Sequence, residues 1–176
     1  MRERQDIRLF FALWPDAALR GQLHRAGNTI TVERPARRVP HYNLHLTLHF
    51  IGNVLLGEMD CLRQQARLVE AAAFELNIDR QGYFSRPRVA WLGCREIPAA
   101  LRELHQQLGR RLQLCDYQPE KRHYNPHVTV ARKIGSIADN ASFAPIAWKV
   151  TEFSLVEVRQ IENGVQYRFI ESFPLI

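Results

Sequence analysis

NLHLTLHFIG, residues 43–52, sets His45 and Thr47 in a run of leucines. PHVTVARKIG, residues 126–135, sets His127 and Thr129 in a run of valines before the same Ile-Gly pair. In the first stretch Leu44, Leu46, Leu48 and Phe50 alternate with His45, Thr47 and His49. Such alternation marks a strand buried on one face, because successive side chains of an extended chain point to opposite sides. Each strand is therefore expected to carry an imidazole and a hydroxyl on one face and aliphatic residues on the core face. Two such strands side by side would gather two imidazoles and two hydroxyls around one cavity. With seven His and five Thr in 176 residues, composition alone yields His-x-Thr roughly 0.2 times. A repeat on two alternating strands stands above that level.

Imidazole titrates near pH 6.5, so of two at neutral pH one can be neutral and the other charged. That is the acid and base an in-line displacement at phosphorus needs: one imidazole takes a proton from the attacking water and the other protonates the departing alkoxide. Thr47 and Thr129 are placed to donate to non-bridging phosphate oxygens. Arg132 would add a forked phosphate contact, but it lies three positions past Thr129. Regular pleating turns it to the opposite face, so it serves the cavity only if the strand ends, twists or bulges near Ala131. His41, His45 and His49 are too spread along a strand to hold one metal, and no Asp, Glu or Cys lies among them. No metal and no cofactor is expected.

Working outward, IRLFFALW (7–14) reads as a buried strand, and Asp16 as the N-cap of a helix that fades near Gly27. Residues 57–72 and the segment after Pro98 read as amphipathic helices, with Pro98 suited to a first turn. FELNIDRQGYF (74–84) and RVAWLG (88–93) read as a strand pair. The tail reads as two strands, 148–158 and 165–175, joined by the turn dipeptide Asn163-Gly164. This order and the repeated motif predict an α+β fold with internal pseudo-symmetry, and no linker divides residues 1–176.

The formal charge is +6, and 21 of the 24 basic residues are Arg, a bias toward phosphate-bearing ligands. Cys61, Cys94 and Cys115 are odd in number and widely spaced, which argues against a disulfide framework and for a reducing compartment. The apolar run near the N-terminus stops at Pro15, too short for a membrane span. These features predict a soluble, cytoplasmic protein without a membrane partner.

At its two motifs the sequence resembles the 2H phosphoesterase family, named for paired His-x-Thr/Ser motifs, and within it the bacterial RNA 2′,3′-cyclic phosphodiesterases, also known as 2′-5′ RNA ligases. RLFFAL, NLHLTLHFIG, VAWLG, NPHVTVAR and VTEFSLVE carry the resemblance along nearly the whole chain. It implies a bilobal fold in which antiparallel sheets line a central cleft and helices lie outside. It also implies metal-independent opening of a 2′,3′-cyclic phosphate at an RNA end to a 2′-phosphate. In that reading His45 donates the proton, His127 accepts it, and Thr47 and Thr129 hold phosphate oxygens. His49 is expected on the cavity rim.

Arg34, Arg37 and Arg38 precede the first motif strand; Lys121, Arg122 and His123 precede the second. If the strands are neighbours, these loops form a basic rim for the RNA backbone. Tyr42 and Tyr124 are candidate base-stacking surfaces, whereas Phe11 reads as core. The expected partners are RNA ends bearing a 2′,3′-cyclic phosphate, with tRNA halves or small cyclic nucleotides as candidate forms, acted on by a monomer. Two alternatives stand beside hydrolysis: 2′-5′ ligation by the reverse reaction, and a module that binds phosphorylated RNA ends without turnover.

Overall fold

A computed structural model describes residues 6–33, 36–138 and 142–176. Among these residues ten strands and three α-helices follow in the order β1 (Asp6–Leu13), α1 (Ala17–Thr29), β2 (Arg37–Arg38), β3 (Leu46–Leu55), α2 (Met59–Arg67), β4 (Phe74–Ile78), β5 (Arg80–Phe84), β6 (Val89–Gly93), α3 (Ala99–Leu112), β7 (His127–Arg132), β8 (Ile146–Val150), β9 (Glu152–Ile161) and β10 (Gly164–Pro174). Asp16 caps α1 by accepting from the Leu19 amide at 2.8 Å. Pro98 precedes α3, where an amide hydrogen would have no helical partner. Gly164 takes φ +143° in the β9–β10 turn, a value that L side chains rarely adopt.

Seven strands run antiparallel in the order β10-β9-β1-β3-β7-β6-β5, with β2 added beside β7 and a separate β4–β8 pair. The sheet is two lobes, and only one residue pair, Leu46 with Val128, joins β3 to β7. Those are the central residues of the two His-x-Thr motifs. Helices α2 and α3 pack on the β3–β10 lobe, while α1 crosses to pack on β6, β7 and β8. The contacts are close: a Cβ on Gly27 of α1 would lie 2.9 Å from Val130, and one on Gly109 of α3 would lie 3.0 Å from His49. The core is aliphatic and aromatic, with Leu9, Phe11, Leu13, Leu46, Leu92, Val128 and Phe153 fully buried.

Three expectations change. Residues 74–84 are two strands, because the chain leaves the ladder at Asp79: β4 pairs with β8 and β5 with β6. Residues 148–158 likewise divide at Thr151. Finally, Cys61 and Cys115 form a disulfide across 54 residues. Packing of α2 against the turn after α3 brings them together, a proximity that spacing in the sequence does not encode.

Candidate active site

The two motif strands share one burial pattern. Residues 45–50 and 127–132 both run half-buried, buried, half-buried, buried, buried, exposed. The two consecutive buried residues mark a bulge. On β3, Thr47 pairs with Ala12 and His49 with Phe11, so Leu48 has no partner on β1. On β7, Thr129 pairs with Trp91 and Ala131 with Ala90, so Val130 has none on β6. An extra residue in one strand reverses the facing of everything beyond it. The residue five positions after each motif His, Phe50 or Arg132, is thereby turned to the same side as the His and Thr.

Both ends of that relationship line one cleft of about 860 Å³, together with His45, Thr47, His127, Thr129, Arg8, Arg37, Arg38, Tyr42 and Tyr167. Among the described residues lining it there are four Arg and no carboxylate, a composition that favours an anion. The two imidazoles are held in the same way. Nδ1–H of His45 donates to the Asn43 carbonyl at 2.7 Å, and Nδ1–H of His127 donates to the Asn125 carbonyl at 2.8 Å. A carbonyl only accepts, so each Nδ1 carries the proton and each Nε2 is left for chemistry in the cleft. Antiparallel counting from the Leu46–Val128 pair sets His45 opposite Thr129 and Thr47 opposite His127.

Three aromatic rings surround His45: Trp14 lies parallel at 5.0 Å, Phe10 at 4.8 Å and Tyr167 at 5.2 Å. This burial pushes the imidazole down to about 4, against the Asn43 bond that favours the charged form, and Arg132 and His127 lower it further. His127, beside Phe84 and Trp91, is also lowered, first by burial and then by Arg132, with the Asn125 carbonyl acting in the opposite sense. In the unliganded protein both rings are therefore neutral at pH 7. An anionic phosphate between them favours protonation and offsets part of that shift.

The other expected site residues divide. Arg37 is exposed, lines the cleft and is the cross-strand partner of Arg132. Arg38 also lines it, but its guanidinium is held by two carbonyls at the C-terminal end of α1, Gly27 and Ile30, each at 2.7 Å. Tyr42 lies in the cleft, 56% exposed. Tyr124 is not among the cleft residues; its ring is stacked on His105 at 3.7 Å and its hydroxyl donates to the Thr47 carbonyl at 3.1 Å. Arg122 pairs with Glu120 at 2.9 Å and, like Lys121 and His123, is not among the cleft residues. Arg34 lies outside the described residues.

His49 is not on the rim. The bulge at Leu48 turns it into the interior, where it is 4% exposed, stacked on His105 and bonded to the His105 carbonyl at 2.8 Å. Phe50, expected in the core, takes its place in the cleft. Arg8 and Tyr167 were not expected from the sequence at all, since their position depends on which strands flank β3. The repeated Asn two residues before each His, Asn43 and Asn125, was a visible signal of the shared turn that orients the rings. Among the described residues, no three His, Cys, Asp or Glu side chains converge as a metal-ligand set, and no helix is long and apolar enough to cross a membrane.

A two-lobed antiparallel fold with a His-x-Thr strand from each lobe meeting in a basic cleft defines a 2H phosphoesterase. Residues 15–162 match the 2′-5′ RNA ligase superfamily, and the chain belongs to that family. It is 32% identical to the RNA 2′,3′-cyclic phosphodiesterase of Escherichia coli over 174 residues, 96% of each chain. It is 33% identical to the enzyme of that name from Methanothermobacter thermautotrophicus over 184 residues, covering 96% of this chain and 99% of the relative. The crystal structure of E. coli LigT with 3′-AMP superimposes with a TM-score of 0.85 at 28% identity, covering 97% of this chain and 99% of LigT.

Proposed function

We propose that this chain is an RNA 2′,3′-cyclic phosphodiesterase that opens the cyclic phosphate at an RNA end to a 2′-phosphate by metal-independent acid–base catalysis. The observation that carries the reading is the convergence of two identically oriented imidazoles, two Thr hydroxyls and Arg132 in a cleft lined by no described carboxylate. His127 removes a proton from water as the water attacks phosphorus. The P–O3′ bond breaks opposite, and His45, protonated on Nε2 once the anionic phosphate is bound, gives that proton to O3′. Thr47, Thr129 and Arg132 hold the non-bridging oxygens as their charge grows. Arg37 and Tyr42 extend the surface for the RNA strand. The protein works as one bilobal unit over residues 1–176.

The test is a product assay on a short RNA ending in a 2′,3′-cyclic phosphate, with EDTA present. The expected result is a 2′-phosphate end at an undiminished rate. No product, or a rate that collapses with chelator, contradicts the reading. Ligation uses the same groups with a ribose 5′-hydroxyl in place of water, and a nicked RNA in the same assay separates the two.

A further inference from the structure

The cleft side of β1 carries a small apolar cluster of its own. Phe10, Ala12 and Trp14 follow at alternate positions and pack with Val156, Val158 and Tyr167. One antiparallel step beyond the Leu13–Leu46 pair sets Trp14 beside His45. The two rings are parallel within 2°, with centroids 5.0 Å apart. Phe169 and Tyr167 hold the indole edge-on at 4.8 and 5.7 Å. Among the described residues the buried indole N–H has no acceptor, so ring contacts alone place it. His45 lines the cleft and Trp14 does not, so the imidazole lies between the cleft and the indole. His127 has no parallel ring among the described residues: Phe84 meets it at 85°, and Trp91 lies 6.3 Å away at 57°.

His45 is tied to the backbone through Nδ1 alone, and a ring held at one atom still tilts about that bond. A flat neighbour removes the tilt and gives Nε2 one heading into the cleft. The same face matters once the ring is charged. Burial opposes the imidazolium, as do Arg132 and His127 of β7, while burial keeps Tyr167 of β10 neutral. Besides the Asn43 carbonyl and the Phe10 ring, the neighbour that attracts the charge is Trp14, because indole presents the most negative aromatic face. We propose that Trp14 is a positioning residue for His45, its indole face fixing the tilt of the imidazole and stabilising the proton that the ring carries. The proposal rests on the reading in which His45 gives that proton to O3′.

The experiment replaces Trp14 alone with tryptophan carrying one, two or three ring fluorines, which drains charge from the face at nearly constant shape. On adenosine 2′,3′-cyclic phosphate, the alkaline limb of the kcat profile marks loss of the donated proton, and it should move to lower pH with each fluorine. Above that limb, kcat of the trifluoro variant should fall about two- to thirtyfold, the range of one cation–π contact. The acid limb should stay in place. An alkaline limb that ignores fluorination, or a uniform loss at every pH, would overturn the proposal. If the wild type opens no cyclic phosphate, the phosphodiesterase reading itself fails. The proposal is then read from NMR titration of the His45 ring with inorganic phosphate present, which should also move to lower pH with each fluorine. An unchanged midpoint there would overturn it.

Discussion

Leu46 and Val128, the middle residues of the two motifs, face each other at the single point where the lobes of the sheet are hydrogen-bonded together. The His and Thr side chains of the two motifs therefore do not meet by the folding of long loops. They flank the pseudo-symmetry axis itself, and each is held by a carbonyl two residues before it. A site built on strands rather than loops is well suited to holding acid, base and phosphate in line.

Arg132 faces both imidazoles and lowers both. Replacing it with Gln should reduce kcat/KM about ten- to a hundredfold, the range for losing a charge-assisted hydrogen bond. It should also move both limbs of the pH–rate bell to higher pH. The sign follows from the loss of a nearby positive charge, which makes each ring easier to protonate. Limbs that stay in place would show that Arg132 acts away from the histidines.

Tyr124 stands three residues before His127, and its hydroxyl holds the carbonyl of Thr47 in the opposite lobe. Tyr124→Phe keeps the stack on His105 and removes only that bond. One neutral hydrogen bond is worth about 0.5–1.5 kcal/mol, so kcat should fall about two- to tenfold with little change in KM. Steady-state kinetics with the thermal midpoint measured alongside decides it. A loss of stability with unchanged kcat would mean the bond serves the fold alone.

His105, stacked between His49 and Tyr124, is pushed down to about 4, first by burial and then by its neighbour His49. The unfolded chain takes up a proton near pH 6.5 that the folded protein resists until about 4. This contribution to stability is complete above pH 6.5 and is lost as pH falls toward 4. His105→Phe keeps a flat ring and cannot titrate, so its thermal midpoint should fall less than that of wild type between pH 7 and 4. Equal falls would contradict the assignment.

Much of this was legible in the sequence. Period-two alternation found the motif strands, Asp16 and Pro98 marked helix starts, and Asn163-Gly164 marked the last hairpin. The repeated His-x-Thr found the centre of the cleft. What sequence could not supply was the bulges, because an extra residue in a ladder leaves no mark of its own in side-chain chemistry. Without the bulge at Leu48, His49 reads as cleft and Phe50 as core. Without the one at Val130, Arg132 points away. Other differences came from partners distant in the chain: His105 claims the ring of Tyr124, Glu120 claims Arg122, and α2 carries Cys61 to Cys115.

The central claim is that the two imidazoles act together on one phosphodiester, and a double-mutant comparison tests it most directly. Turnover of a 2′,3′-cyclic phosphate should fall by about two or more orders of magnitude in His45→Ala and in His127→Ala, the scale of acid–base catalysis. The double variant should be little worse than the poorer single one, because groups serving one step are not additive. Near-wild-type turnover in either single variant, or losses that multiply in the double, would contradict the account.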